Sequence, residues 1–188
     1  MMVGSGIAQK HPLTLEHMTA DKISAEQWLA SNKLFNDAFY DAFKDIPYTQ
    51  LDDDIKDGSD QELRAFIQRL FEKFKTEAVT SLSRCVLAYE AERLVGYALY
   101  RLRSDAPEII VAVLVVDSQS QGKGVGKMLL DSVAHSFPTA RSMVLTCDIL
   151  NQKARAFYAK QGFFEITEGV EGVHFDPKYQ LALKKDIS

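Results

Sequence analysis

The stretch Val116-Asp117-Ser118-Gln119-Ser120-Gln121-Gly122-Lys123-Gly124-Val125-Gly126-Lys127 decides how the chain is read. Before it lies Ile109 to Val116 (IIVAVLVV), an almost wholly apolar, β-branched run, which predicts a central strand covered on both faces. After it Val125, Met128, Leu129, Ser132 and Val133 recur at helical spacing until Pro138. A buried strand therefore enters a helix through a glycine-rich loop. Alternate glycines permit a tight turn and let a ligand approach the backbone closely. The new helix offers unpaired N–H groups and a positive dipole end, a setting suited to phosphate. Lys123 and Lys127 add positive charge. Two phosphate motifs fail by spacing. A Walker loop would need glycine at Gln121 and Ser or Thr at Met128, and a dinucleotide fingerprint would need glycine at Lys127. A third pattern, Gln/Arg-x-x-Gly-x-Gly/Ala, is met at every position from Gln121 to Gly126.

Upstream, Leu13 to Met18 reads as a first strand. Ser24-Ala25-Glu26-Gln27 is a capping box, and Leu34, Phe35, Ala38, Phe39, Ala42 and Phe43 form the apolar stripe of the helix behind it, which should stop before Pro47. A second box, Ser59-Asp60-Gln61-Glu62, opens a helix striped by Leu63, Phe66, Ile67, Leu70, Phe71 and Phe74. Cys85–Tyr89 and Leu94–Leu102 predict an antiparallel hairpin turning at Glu92 and Arg93. Downstream, Met143–Cys147 is strand-like, Asn151 caps a helix carrying Ala154, Phe157 and Tyr158, and Gly162 suits its C′ position. Phe163–Thr167 and Tyr179–Lys184 read as the last strands. The fold class is α/β, a mixed sheet with helices on both faces.

Composition bounds the function. The 188 residues are expected to form a single domain, 1–188, with residues 1–10 flexible. A net charge of −4 argues against a dedicated nucleic-acid binder. No apolar stretch reaches the roughly 20 residues of a membrane span, and the first ten residues lack a signal-peptide core. Cys85 and Cys147 sit in apolar runs without metal or disulfide spacing. A cytoplasmic protein with no metal, no nucleic-acid partner and no membrane partner is expected, as a monomer or homodimer.

The glycine loop and the later stretch Asn151-x-x-Ala154-x-x-Phe157-Tyr158-x-x-x-Gly162-Phe163 together resemble the GNAT (GCN5-related N-acetyltransferase) superfamily, most closely over about residues 84 to 184. The resemblance implies the GNAT fold, a mostly antiparallel sheet of six to seven strands. It implies acetyl-CoA as acyl donor and direct transfer to a primary amine acceptor in a ternary complex. The pyrophosphate would sit on the amides of Gln121, Gly122, Lys123, Gly124, Val125 and Gly126, with Lys127 close by. The pantetheine arm would pair with the backbone of Leu114, Val115 and Val116. Tyr158 would lie beside the coenzyme sulfur and protonate the departing thiolate, and Asn151 would combine capping with coenzyme contact. Glu108 occupies the general-base position of histone-acetyltransferase-like members. There it would take the amine proton directly or through water, many members using waters instead of a fixed base; its other reading is a solvated strand-end carboxylate after Pro107. Phe157 continues the stripe of Ala154 and is the expected core residue, while Tyr158 points elsewhere. A non-catalytic acyl-CoA sensor and a protein-interaction domain are the competing classes. The loss of an acid would suit the sensor, and a degraded glycine loop would suit the interaction domain.

Other signals carry less. The run Asp52-Asp53-Asp54-Ile55-Lys56-Asp57-Gly58 fails the EF-hand pattern, because Ile55 and Arg64 fall on ligand positions. Cys147 could carry an acyl group, but no histidine neighbours it, and core packing is expected. His11, His17, His135 and His174 lack ligand spacing. Residues 37–62 hold nine acidic residues against two basic ones. The resemblance places this region over the acceptor cleft, where it would attract a cationic amine; the other reading is a solvated helix face and a soluble loop.

Overall fold

The computed structural model describes residues 12–47, 50–53, 55–78, 82–167 and 175–187. Residues 1–10, His11, Asp54 and His174 lie outside that set. Strands β1 (Leu13–Thr19), β2 (Ser83–Glu90), β3 (Arg93–Leu102), β4 (Glu108–Val116), β5 (Ser142–Asp148), β6 (Phe164–Ile166) and β7 (Gln180–Asp186) form one sheet in the order β1-β2-β3-β4-β5-β7-β6. Every pairing is antiparallel except β4 with β5. That parallel pair needs a crossover, which α3 (Val125–His135) supplies. This is the mixed, mostly antiparallel seven-stranded sheet that the resemblance implies.

Helices cover both faces. On one, α1 (Ala25–Phe43) and α2 (Asp60–Ala78) bury Leu34, Phe35, Phe43, Leu63, Ile67 and Phe71 against Leu87, Tyr97 and Val115. Phe35 stacks on Phe39 at 4.1 Å and meets Phe71 edge-on at 5.6 Å. On the other face, α3 and α4 (Gln152–Lys160) bury Val125, Leu129, Leu130, Val133 and Tyr158 against Val86, Ile109 and Leu145.

The first capping box closes fully, with Gln27 N–H on Ser24 Oγ and Ser24 N–H on Gln27 Oε1. The second closes by half. Ser59 Oγ accepts from Glu62 N–H, but Glu62 Oε2 gathers the N–H groups of Lys56, Asp57 and Gly58 instead of that of Ser59, which goes to Asp57 Oδ1. The preceding loop folds back over the carboxylate, and the suspected calcium-loop residues Lys56, Asp57 and Gly58 are used in this way. The hairpin turns at Ala91, which has φ 55°, and Glu92. Arg93 belongs to β3, where its guanidinium pairs with Asp117.

Two irregularities in β4 shape the space beside it. Leu99 faces Val113 and Tyr100 faces Val111, so Ala112 is an extra residue. Such a bulge reverses which face later side chains occupy. Ile109 and Val111 therefore enter one core and Val113 and Val115 the other. Pairing of β4 with β5 covers only Glu108–Ile110 and Ser142–Val144. Beyond that the two strands splay apart.

Candidate active site

The splay opens into a cavity of about 790 Å³. Its floor is β4 from Val111 to Val116 and β5 from Leu145 to Asp148. One wall is α4, with Asn151, Ala154, Phe157 and Tyr158. The opposite wall is apolar and comes from α1 and α2, chiefly Phe39, Phe43, Phe66, Leu70 and Phe74. Gln121, Gly122 and Gly126 close one end.

The glycine loop leaves a row of backbone N–H groups without backbone acceptors among the described residues. Gly122 and Gly124 have φ +74° and +90°, and a Cβ on either would meet nothing within 4 Å. Left-handed backbone, not crowding, demands glycine there. Gly124 is the N-cap of α3 and supplies no side chain to cap it. The N–H groups from Gly122 to Gly126 have no backbone acceptor among the described residues. Those orphan donors, gathered at the positive end of α3, suit a phosphate oxygen. Gly126 answers a different need. A Cβ there would lie 2.9 Å from the Phe157 ring, so glycine lets α3 and α4 close on each other.

Gln121 departs from expectation. Its N–H donates to Asp117 O at 3.0 Å and its side chain donates to Val116 O at 3.1 Å. It therefore braces the turn, and the N–H groups that lack a backbone acceptor among the described residues begin at Gly122. Asp117 N–H donates to Val95 O, so Val115 turns its polar groups toward β3, and the edge facing the splay carries Leu114 and Val116, the latter with its carbonyl engaged by Gln121. Arg93, absent from the sequence-based candidates, clamps the start of the loop through Asp117 and reaches Ser120 Oγ at 3.4 Å. Lys123 is exposed, and the ammonium of Lys127 pairs with Asp131 one turn on.

Tyr158 lines the cavity but is also the buried aromatic of α4, whereas Phe157 is half-buried. This reverses the expected order. The Tyr158 ring packs between Phe157 and Phe163, at 5.3 and 5.5 Å. Burial, with the nearby Cys147 thiol, holds its pKa far above the ordinary phenol value. The group is a neutral O–H donor at physiological pH, and no described residue hydrogen-bonds its hydroxyl. Asn151 caps α4, its Oδ1 accepting from Ala154 N–H at 3.0 Å, and it faces the cavity. Cys147 also lines the cavity, but burial pushes its thiol up to about 12, so little nucleophilic thiolate forms.

Glu108 is not brought to this site. It begins β4, and eight residues at about 3.3 Å each place it roughly 26 Å from the strand end that meets the loop. Its carboxylate is buried and accepts from Arg103 at 3.0 Å, Ser142 at 2.9 Å and Lys184 at 2.9 Å. Burial pushes the pKa up, yet the Lys184, Ser142 and Arg103 interactions outweigh it and hold it below the ordinary 4.5. Neither the solvated reading nor the general-base reading fits; the geometry assigns Glu108 to pinning β4, β5 and β7 together. A depressed carboxylate pKa contributes stability above the unfolded value, lost as pH falls through the folded one. Glu108→Gln should therefore cost about 1–3 kcal/mol at pH 7, a loss that shrinks below pH 4.5. Denaturant melts from pH 3 to 7 check this, and turnover at pH 7 should stay near wild type. A rate loss with unchanged stability would return Glu108 to the chemistry.

Of the acidic residues between 37 and 62, only Asp41 and Asp52 line the cavity among the described residues. Asp37, Asp53 and Asp60 pair with Lys33, Lys178 and Arg64, and Asp41 itself with Lys44. Asp148 and Asp176 also face the cavity, and Arg69, Lys73, Lys153 and Lys160 balance them in sign. Asp148 was not singled out by the sequence.

No helix among the described residues is long and apolar enough to cross a membrane. The family model described as "Acetyltransferase (GNAT) family" matches residues 32–163. The chain is 30% identical over 101 residues to 5-NmdU N-acetyltransferase of Pseudomonas phage PaMx11, covering 53% of this chain and 70% of that protein. It is 44% identical over 55 residues to the probable N-acetyltransferase Rv2775 of Mycobacterium tuberculosis, a match spanning 29% of this chain and 31% of that protein. Among solved structures, the PaiA N-acetyltransferase of Thermoplasma acidophilum in complex with coenzyme A superposes with a TM-score of 0.68 at 17% identity, over 93% of this chain and 99% of that one. With the family pattern matched over most of its length and set on this sheet, the chain belongs to the GNAT family of acetyltransferases.

Proposed function

We propose that the protein transfers the acetyl group of acetyl-CoA directly to a primary amine. The observation that carries this reading is the β4–β5 splay, ended by the uncapped start of α3 and flanked by the neutral phenol of Tyr158. The cosubstrate supplies an acetyl thioester. The N–H groups of Gly122, Lys123, Gly124, Val125 and Gly126 bind its pyrophosphate, with the Lys123 ammonium near. The backbone edge at Leu114 and Val116 lies along the pantetheine arm, and an N–H on that edge supports the carbonyl oxygen as negative charge grows there. Tyr158 gives its proton to the departing sulfur. Asn151 holds α4, and so Tyr158, in place. A coenzyme sensor would need no proton donor in the cavity, which favours catalysis over that alternative. Two buried, free cysteines are in keeping with a cytoplasmic setting.

The acceptor is a cationic amine that enters past Asp41 and Asp52, with its carbon body against the apolar wall of α1 and α2. The panel that tests this is spermidine, tryptamine, a lysine-containing basic peptide, a peptide with a free N-terminus, and 5-NmdU, the compound in the phage relative's name. The readout is coenzyme thiol release, with the acetylated amine identified by mass spectrometry. Asp52→Asn should raise the acceptor KM about two- to five-fold, in line with one exposed charge pair, and weaken its salt dependence, leaving the KM for acetyl-CoA unchanged. A neutral or anionic acceptor proving best, or an unaltered salt dependence, would contradict the assignment of charge.

A further inference from the structure

We propose that Asp148 is the general base that accepts the proton of the attacking amine. The proposal rests on the transfer reading above. With Glu108 committed to the far end of β4, the amine's proton goes either to water or to another group inside the cavity, and the geometry singles out one such group. Asp148 ends β5, four residues beyond Val144, which pairs with Ile110. Allowing for the extra residue at Ala112, that places Asp148 level with Leu114 and Val115, across the splay from the backbone edge assigned to the thioester. It lines the cavity. Asp41 is tied to Lys44, and Asp176 receives Lys178 N–H. Asp148 has no cation partner among the described residues. One oxygen, Oδ1, accepts from Leu150 N–H at 2.8 Å, which fixes the carboxylate and leaves the second oxygen for substrate.

The surroundings suit a base. The neighbour on its own strand is Cys147, buried and neutral. On α4 stand Lys153, Tyr158 and Lys160, which line the cavity, and Arg155, whose guanidinium donates to Ile149 O at 3.1 Å. Tyr179 and Asp176 precede β7, β4 presents no titratable side chain to the cavity, and Asp41, Asp52, Arg69 and Lys73 face it from α1, α2 and the loop between them. Burial raises the Asp148 pKa to about 6, against the lowering effect of the backbone N–H groups of Leu150 and Asn151. A carboxyl so tuned is ionised at neutral pH and is a stronger proton acceptor than an ordinary aspartate. In the step, the amine, after losing its ammonium proton to solvent, attacks as the neutral form: its nitrogen bonds to the carbonyl carbon and the C–S bond breaks. The nitrogen's proton passes to Asp148, and the sulfur takes the Tyr158 proton. Proton return from Asp148 to the phenolate, through solvent, restores both groups, and the products are the acetylated amine and the free coenzyme thiol.

The test is the pH dependence of kcat/KM for the fastest amine of the panel, in wild type, Asp148→Asn and Asp148→Glu. Asparagine keeps an Oδ1 for Leu150 N–H, so Tm and acetyl-CoA affinity should stay near wild type. Wild type should lose rate below a midpoint near pH 6. Asp148→Asn should lack that limb, run about 10²–10⁴-fold slower at pH 7 and gain rate with pH up to the amine's own pKa. Asp148→Glu should restore a limb at a shifted midpoint. Superimposable profiles for wild type and Asp148→Asn overturn the proposal. Should the asparagine variant fail to fold, an unshifted limb in Asp148→Glu overturns it equally. Wild type that acetylates no amine of the panel defeats the transfer reading itself, visibly and before any variant is made, and the base assignment falls with it.

Discussion

Acetyl-CoA at about one hundred times its Kd should stabilise the wild-type chain by about 2.7 kcal/mol, and Gly124→Glu should abolish that gain. The stabilisation follows from mass action, because a ligand that binds only the folded chain draws the equilibrium towards it. Gly124 is the position at which substitution separates binding from folding. It is exposed and caps α3, and a Cβ there meets nothing within 4 Å. A glutamate would therefore reach into open space at the orphan amides and set a negative charge where the phosphate belongs. Its φ of +90° adds backbone strain of about 1–2 kcal/mol for any L side chain. Gly124→Ala carries that strain without bulk or charge, so it should melt lower yet keep most of its ligand-induced shift. Differential scanning fluorimetry with and without acetyl-CoA gives both quantities. A full shift in Gly124→Glu would place the coenzyme elsewhere.

Tyr158→Phe should lower kcat by about 10²–10⁴-fold, the usual contribution of a positioned acid, and leave acetyl-CoA affinity little changed. The ring is the part that packs, against Phe157 and Phe163. The hydroxyl is the part that carries chemistry. It has no protein partner among the described residues, so its removal strands no buried donor or acceptor and the fold should hold. The high pKa that burial imposes keeps the proton in place until a thiolate develops. Single-turnover rates isolate the chemical step, and a wild-type rate there would remove Tyr158 from the mechanism.

The parts of the fold carried by local patterning were legible in the sequence. The apolar run of β4, the stripes of α1 and α2, the first capping box and the Asn151 cap are each decided within a few residues, and each is found in place. Gly122 and Gly124 were equally legible, since a left-handed turn states its requirement in the residue itself. Misreadings occurred where distant strands meet. The fate of Glu108 depends on Arg103, Ser142 and Lys184, which three other segments bring together. Arg93 was assigned to the turn because Ala91, a residue that seldom adopts positive φ, makes the bend. Phe157 was expected to be the core aromatic because it extends the stripe of Ala154. The helix is rotated so that Tyr158 is buried and Phe157 lies against Gly126. Asp148 gave no signal, because a carboxylate at a strand end becomes unusual only once β4 and β5 splay around it.

The most direct measurement is a single-turnover reaction with mass spectrometry of both protein and amine. Excess enzyme is mixed with acetyl-CoA, first alone and then with the best amine of the panel. Direct transfer predicts no thiol release and no acetylated protein in the first stage, then one released thiol per acetylated amine in the second. Thiol release before the amine is added, with an acetyl group retained on Cys147, would contradict direct transfer, and the absence of any acetylated amine would contradict the function as a whole.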